Sequence, residues 1–202
     1  MNLPEGTSTG DPCRELLDGT YIVDLHTFID ERGDLAELYR TEWFDEPVIQ
    51  INYTRNKAGV MRGAHFHLRR NEHVIIASGQ AVFGIHDARP GSPTHGKSAM
   101  LDLSADKLQM IYIPAGVVHS IYSKTESLML VGQTAYYERG DEFDCHYNDP
   151  ALGFSWPVKD PNLLTMSDRD RTAGKLSQVK SLIPDWQQSS RKQPKSIVPA
   201  SV

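Results

Sequence analysis

Across the middle of the chain short apolar runs alternate with turn residues: VIQINYTR, HVIIA, QAVFGIHDA, KSAMLDLS, MIYIP, HSIYS and SLMLVGQTAYY. Each is of strand length and rich in Val, Ile and Tyr. Turn residues such as Ser78-Gly79, Arg89-Pro90-Gly91-Ser92-Pro93 and Pro114-Ala115-Gly116 separate them. Many short strands with turns between them predict an antiparallel sandwich or barrel. Helical spacing is found only near the C-terminus, where Leu176, Val179 and Leu182 recur at three-residue steps. Ser167 or Asp168 stands at a capping position and Pro184 is a stop, so one short satellite helix is expected there. Residues 1–18 and 186–202 are polar and carry the turn-forming residues of mobile tails, leaving one ordered domain over 19–185.

A length of 202 residues with 39% hydrophobic content suits one domain with a proper core. The net charge of -5 and a pI near 5.9 argue against a general pull toward nucleic acid or an anionic membrane. A local basic patch for a small phosphorylated ligand remains open. The N-terminal stretch lacks a basic segment followed by an apolar run, and no segment approaches the roughly 20 apolar residues of a membrane span. A cytoplasmic protein is expected. The two cysteines, Cys13 and Cys145, are far apart, so neither a disulfide framework nor a thiolate zinc site is suggested. Any metal here would use histidine and carboxylate.

The densest chemistry lies in GVMRGAHFHLRRNEHVIIASG, residues 59–79. His65 and His67 are two apart, which on a strand aims both imidazoles at one face, and Glu72 opens the next strand. His119 follows a Pro-x-Gly turn. In a small barrel these four side chains can converge on one interior point, a set suited to one divalent Fe, Mn, Co, Ni or Zn ion, with no organic cofactor expected. The spacing G-x5-H-x-H-x4-E-x6-G matches the first cupin motif in full. The second cupin motif matches in part: Pro114, Gly116 and His119 are present, while Leu108 and Ser123 replace its leading glycine and last asparagine. The competing reading is a set of hydrogen-bonded core polar groups without metal. His26, His73, His86, His95 and His146 are read as structural or surface groups, and Arg69 and Arg70 as a solvated turn.

Over most of residues 28–170 the chain resembles the dTDP-4-dehydrorhamnose 3,5-epimerase family. The stretches that carry the resemblance are DERG (30–33), QIN (50–52), MRGAHF (61–66), SPTHG (92–96), LSA (103–105), IPAGVVH (113–119), TAYY (134–137), NDPALGFSWP (148–157) and MSDRD (166–170). The resemblance implies an all-β, cupin-type jelly-roll barrel, usually a homodimer, that inverts carbons beside the ketone of a nucleotide-linked 4-keto-6-deoxy sugar. It places substrate contacts at Arg32, Glu37, Gln50, Asn52, Arg62, His119, Glu142 and Arg169. His65 falls on the catalytic base and Asp170 on the carboxylate that orients it. Arginines suit a pyrophosphate because a planar guanidinium bonds two oxygens at once and stays charged.

Three positions depart from that family: its lysine near the developing enolate aligns with Glu72, its proton-returning tyrosine with Val131, and an aromatic residue near the nucleotide with Asp34. A negative Glu72 repels an enolate unless a cation is added, and a metal would reverse that sign. His65 cannot ligate a metal and collect a proton at the same time. If all four groups hold a metal, Tyr136, Tyr137 or Glu142 are the candidate bases; if not, His65 and Asp170 act from one face. Three functions follow: a nucleotide-sugar epimerase or isomerase, a metal-dependent cupin dioxygenase or lyase, and a non-catalytic sugar-nucleotide binder. The first is favoured, because binding positions spread over the whole domain are harder to retain by accident than a local cluster.

Overall fold

The computed structural model describes residues 12–186. Most of both expected tails, 1–11 and 187–202, lie outside the described residues. The strands are β1 (Cys13–Leu17), β2 (Thr20–Asp24), β3 (Thr27–Asp30), β4 (Gly33–Ala36), β5 (Gln50–Asn56), β6 (Met61–Phe66), β7 (Glu72–Ser78), β8 (Gln80–Asp87), β9 (Ser98–Ser104), β10 (Gln109–Ile113), β11 (Val117–Ser123), β12 (Ser127–Gln133) and β13 (Phe143–Cys145). A six-stranded sheet runs β1-β2-β10-β7-β12-β5 and a five-stranded sheet runs β13-β6-β11-β8-β9. β3 and β4 form a separate hairpin. This is the all-β, cupin-type jelly roll that the turn-punctuated pattern predicts.

Period-two alternation builds the barrel wall. On β7, Val74 and Ile76 point inward to join Phe83, Ile85, Ile111, Ile121, Met129 and Val131 in the interior cluster. Ile75 points outward, where Trp43 and Phe44 cover the six-stranded sheet together with Tyr21, Val23, Met110 and Tyr112. Gly79 turns β7 into β8 with φ +78°, and a Cβ there would stand 2.1 Å from the Glu126 carbonyl oxygen, so no other residue fits. At Asp87 a wholly buried carboxylate accepts from Arg89 Nε at 2.8 Å, Ser92 Oγ at 2.5 Å and Thr94 Oγ1 at 2.6 Å. That network explains the SPTHG stretch as a structural clamp.

Three expectations are corrected. Cys13–Leu17, expected within the N-terminal tail, is a strand paired antiparallel with β2. The C-terminal helix is two pieces, α1 (Asp168–Thr172) and α2 (Leu176–Val179), the second followed by a 3-10 turn over Lys180–Leu182. Their link is held extended: Gly174 O accepts from His146 N at 2.7 Å, and Leu176 N donates to Asp149 Oδ2 at 2.7 Å. The run SLMLVGQTAYY leaves the sheet after Gln133, and Tyr136 and Tyr137 are exposed.

Candidate active site

A cavity opens between the sheets. Asn52 and Thr54 of β5, Arg62, Gly63 and His65 of β6, Glu72 of β7, His119 of β11, and Met129, Val131 and Gln133 of β12 line it, with His67, Arg70 and Glu142 from loops. Arg62 and His65 are three apart, which a regular strand would send to opposite faces. The register shift between β6 and β11 resolves this: His65 stands opposite His119 and Arg62 opposite Ile121, so two residues face one. That bulge lets both side chains reach the cavity.

Behind His65, α1 delivers Asp170. Its backbone N–H bonds the Oγ of the capping Ser167 at 3.1 Å, and its Oδ1 lies 2.7 Å from His65 Nε2. Burial alone would raise the Asp170 carboxyl, but the hydrogen bond and charge of His65, with support from Ser167 and the Gly63 N–H, hold it at about 2. An anionic Asp170 fixes the tautomer with hydrogen on Nε2 and leaves Nδ1 to accept a proton. Arg62, His65 and Asp170 also border an outer cleft shared with Arg169, so two guanidiniums flank the dyad. Arg169 is held by Asp144 at 2.5 Å.

The other three expected metal donors meet deeper in. Glu72 is buried between two imidazoles, with Oε1 3.3 Å from His67 Nε2 and Oε2 3.2 Å from His119 Nε2. Burial would raise the Glu72 carboxyl, but hydrogen bonding to His119 and His67 holds it well below the ordinary carboxylate range. His67 Nδ1 donates to the Asp141 carbonyl at 3.1 Å and His119 Nδ1 to the Val117 carbonyl at 3.2 Å, so both Nε2 atoms face the carboxylate. His65 does not join them. Its Nε2 is committed to Asp170, and the expected four-ligand set becomes a group of three, His67, Glu72 and His119, whose donor atoms lie within 4.8 Å of one another.

Arg70 corrects the expectation of a solvated turn. Only 2% exposed, its guanidinium places Nε 3.3 Å from Glu72 Oε1 and Nη2 3.2 Å from His67 Nε2, and it pairs with Glu142. The turn is pinned from three sides, by His67 O to Gly116 N, Leu68 N to Asp141 Oδ1 and Asn71 N to Thr134 Oγ1. The signal available in sequence was the Arg-x-Glu spacing itself, since a buried glutamate demands a neighbouring cation. Arg69 is exposed, as expected. Gln133, which donates to Glu72 Oε1 at 3.0 Å, and Asp141 were not singled out from sequence.

Of the remaining expected contacts, Asn52 lines the cavity and Gln50 bonds it at 2.9 Å from the rim. Glu142 faces Arg70 rather than standing free as a base. Arg32 sits at the β3–β4 turn against Asp30, with 84% of its side chain exposed, and Glu37 pairs with Arg40 at 3.2 Å; neither lines the cavity of its own chain. His73 packs between Tyr39, Phe44 and Tyr112, in the structural role expected of it.

Known proteins share this fold. A curated dTDP-4-dehydrorhamnose 3,5-epimerase of Streptomyces griseus is 30% identical over 184 residues, spanning 85% of this chain and 90% of the relative. The crystal structure of a dTDP-6-deoxy-D-glucose-3,5-epimerase of Legionella pneumophila in complex with dTDP-4-keto-L-rhamnose superposes with a TM-score of 0.79 at 28% identity, covering 86% of this chain and 96% of that one. A 3'-monoepimerase of Streptomyces bikiniensis in complex with dTDP-quinovose gives a TM-score of 0.78 at 25% identity, covering 86% and 94%. The sequence model described as dTDP-4-dehydrorhamnose 3,5-epimerase matches residues 14–178, and the chain belongs to that family.

Proposed function

We propose that this chain is an epimerase or isomerase of a nucleotide-diphosphate-linked 4-keto-6-deoxy sugar that removes a proton from a carbon beside the ketone. The observation that carries the reading is the 2.7 Å pair of His65 Nε2 and Asp170 Oδ1 at the junction of the inner cavity and the arginine-flanked cleft. The diphosphate suits the outer cleft, where the guanidiniums of Arg62 and Arg169, each anchored by its own partner, supply positive charge. The sugar then enters beside His65, whose Nδ1 takes the proton while Asp170 stabilises the imidazolium. The negative charge passes to the ketone oxygen.

Proton return is one-sided. No tyrosine lines the cavity among the described residues, and the wall at Val74, Phe83, Met129 and Val131 is apolar. His65 returns a proton to the face it came from, and inversion relies on water from the other. This favours exchange or inversion at a single carbon over double inversion. A non-catalytic binder has no use for a charge-coupled dyad.

A second copy of the chain fits the same reading, because Arg32 is presented to solvent rather than to its own cavity. We place the enzyme in the cytoplasm, where the buried thiol of Cys145 stays reduced. No helix among the described residues is long and apolar enough to cross a membrane.

The test incubates the protein with a dTDP-linked 4-keto-6-deoxyhexose in heavy water and follows deuterium at C3 and C5 by NMR. Incorporation that disappears in His65→Asn supports the reading; its absence from the wild type overturns it.

A further inference from the structure

Removing a proton beside a ketone leaves an oxyanion, and the inner cavity presents carboxylates where that charge develops. Glu72, Glu142 and Asp141 gather around the single buried guanidinium of Arg70, whose Nη1 has no hydrogen-bond partner and stands 3.7 Å from Asp141 Oδ2. Arg69 Nε, 3.9 Å from Asp141 Oδ1, and Arg169 Nη1, 3.8 Å from Glu142 Oε2, add charge from the rim, whereas Glu72 has only Arg70 beside the two imidazoles. The cluster also brings three potential ligand groups, one carboxylate and two imidazoles, within 4.8 Å of one another. With each Nδ1 turned to a backbone carbonyl, Nε2 of His67 and Nε2 of His119 both point at the oxygens of Glu72. A backbone carbonyl on one ring nitrogen is how proteins orient a metal-binding imidazole through the other.

The geometry points to a divalent transition-metal site made by His67, Glu72 and His119, separate from the His65–Asp170 pair, with the ion serving as Lewis acid toward the sugar ketone. Two imidazoles and one carboxylate on one side of an ion leave its remaining positions open to the cavity, as a bound substrate oxygen requires. The division of labour removes the conflict over His65, which keeps Nε2 on Asp170 and Nδ1 for the proton. Arg70 remains beside the site through Glu72 and Glu142, and its contact with His67 Nε2 is the one that an ion displaces. This inference rests on the reading of the chain as a 4-keto sugar enzyme for the ion's role, and on the three donors alone for its binding.

The experiment uses full-length protein prepared without chelator, stripped, and titrated with Co(II), Mn(II) and Zn(II) by calorimetry, with the visible spectrum of the Co(II) form recorded. One equivalent per chain is expected, with a rise in Tm. Glu72→Gln should weaken binding about 100-fold or more, and His65→Asn should bind the ion as the wild type does. Less than a tenth of an equivalent in the wild type after reconstitution overturns the site, and this measurement does not depend on any variant folding. Equal loss of metal in His65→Asn overturns the division of labour by making His65 a ligand. Metal bound without deuterium exchange overturns the ion's role and the proposed function while leaving the site; exchange that persists in metal-free protein overturns the site's role and leaves the proposed function.

Discussion

His65 and Asp170 are 105 residues apart in sequence and 2.7 Å apart in space, and Gly63 is the residue that lets them meet. A Cβ at position 63 would stand 3.0 Å from the Cβ, Cγ and Oδ1 atoms of Asp170, tighter than ordinary packing permits. α1 therefore rests directly on the β6 backbone, where the Gly63 N–H also helps to hold the carboxylate.

Asp170→Asn should lower the rate of deuterium incorporation by roughly 100-fold or more, because the amide removes the charge that stabilises the imidazolium. Gly63→Ala should lower it in the same direction while the far-UV circular dichroism stays unchanged, since the added methyl displaces Asp170 and not the sheet. An alanine variant with wild-type exchange would show that the close approach is incidental.

The apolar wall around Val131 makes a separate prediction. Exchange of the proton with solvent should outrun inversion by about tenfold or more in the wild type, since His65 serves one face and no described side chain serves the other as a donor. Val131→Tyr, which places a phenol on an inward position of β12, should raise the inversion-to-exchange ratio. NMR of deuterium content and product configuration in the same sample checks both; a wild-type ratio near one would mean that a proton donor exists elsewhere.

Much of this site was legible in the sequence because it follows local spacing. The strands VIQINYTR through MIYIP, the bounding glycines of residues 59–79 and the four polar residues His65, His67, Glu72 and His119 all line up with the barrel interior. The split of those four into two groups was not legible. It depends on the β6 bulge and on α1 arriving from the far end of the chain, and neither leaves a mark on hydrophobic periodicity. Arg70 was misread for a related reason: a charged turn looks solvated until Asp141, Thr134 and Gly116 are seen to pin it inside.

His73 gives a stability prediction with a defined sign. Burial among Tyr39, Phe44 and Tyr112 depresses its pKa from 6.5 to about 4, with the charge of Glu72 a smaller opposing influence. The unfolded chain binds a proton below 6.5 and the folded chain does not until about 4. Stability is therefore unaffected above the first value, falls between the two, and levels off below the second, with a total loss of about 3 kcal/mol. His73→Phe should flatten that part of the curve in urea titrations from pH 7 to pH 4. A variant with the wild-type slope would assign the loss to other groups.

The outer face of β5 argues for a second copy of the chain. Ile51 and Tyr53 are 69% and 59% exposed, and Tyr53 stands opposite Leu130 of β12, which extends the apolar surface across two strands. The β3–β4 hairpin adds exposed Ile29 and Leu35 beside Arg32. A two-fold pair of chains would bury this apolar strand. Arg32, which the family resemblance places on the substrate, would then be available to the partner's cleft. Light scattering on the eluting protein should give twice the 22.6 kDa chain mass. The double variant Ile51→Glu, Tyr53→Lys should elute as a monomer and bind the nucleotide sugar at least tenfold more weakly, while Arg32→Ala should weaken binding with the dimer intact. A monomeric wild type would leave Arg32 without a site to reach, and a monomeric variant that binds at full strength would show that each cleft is complete within its own chain.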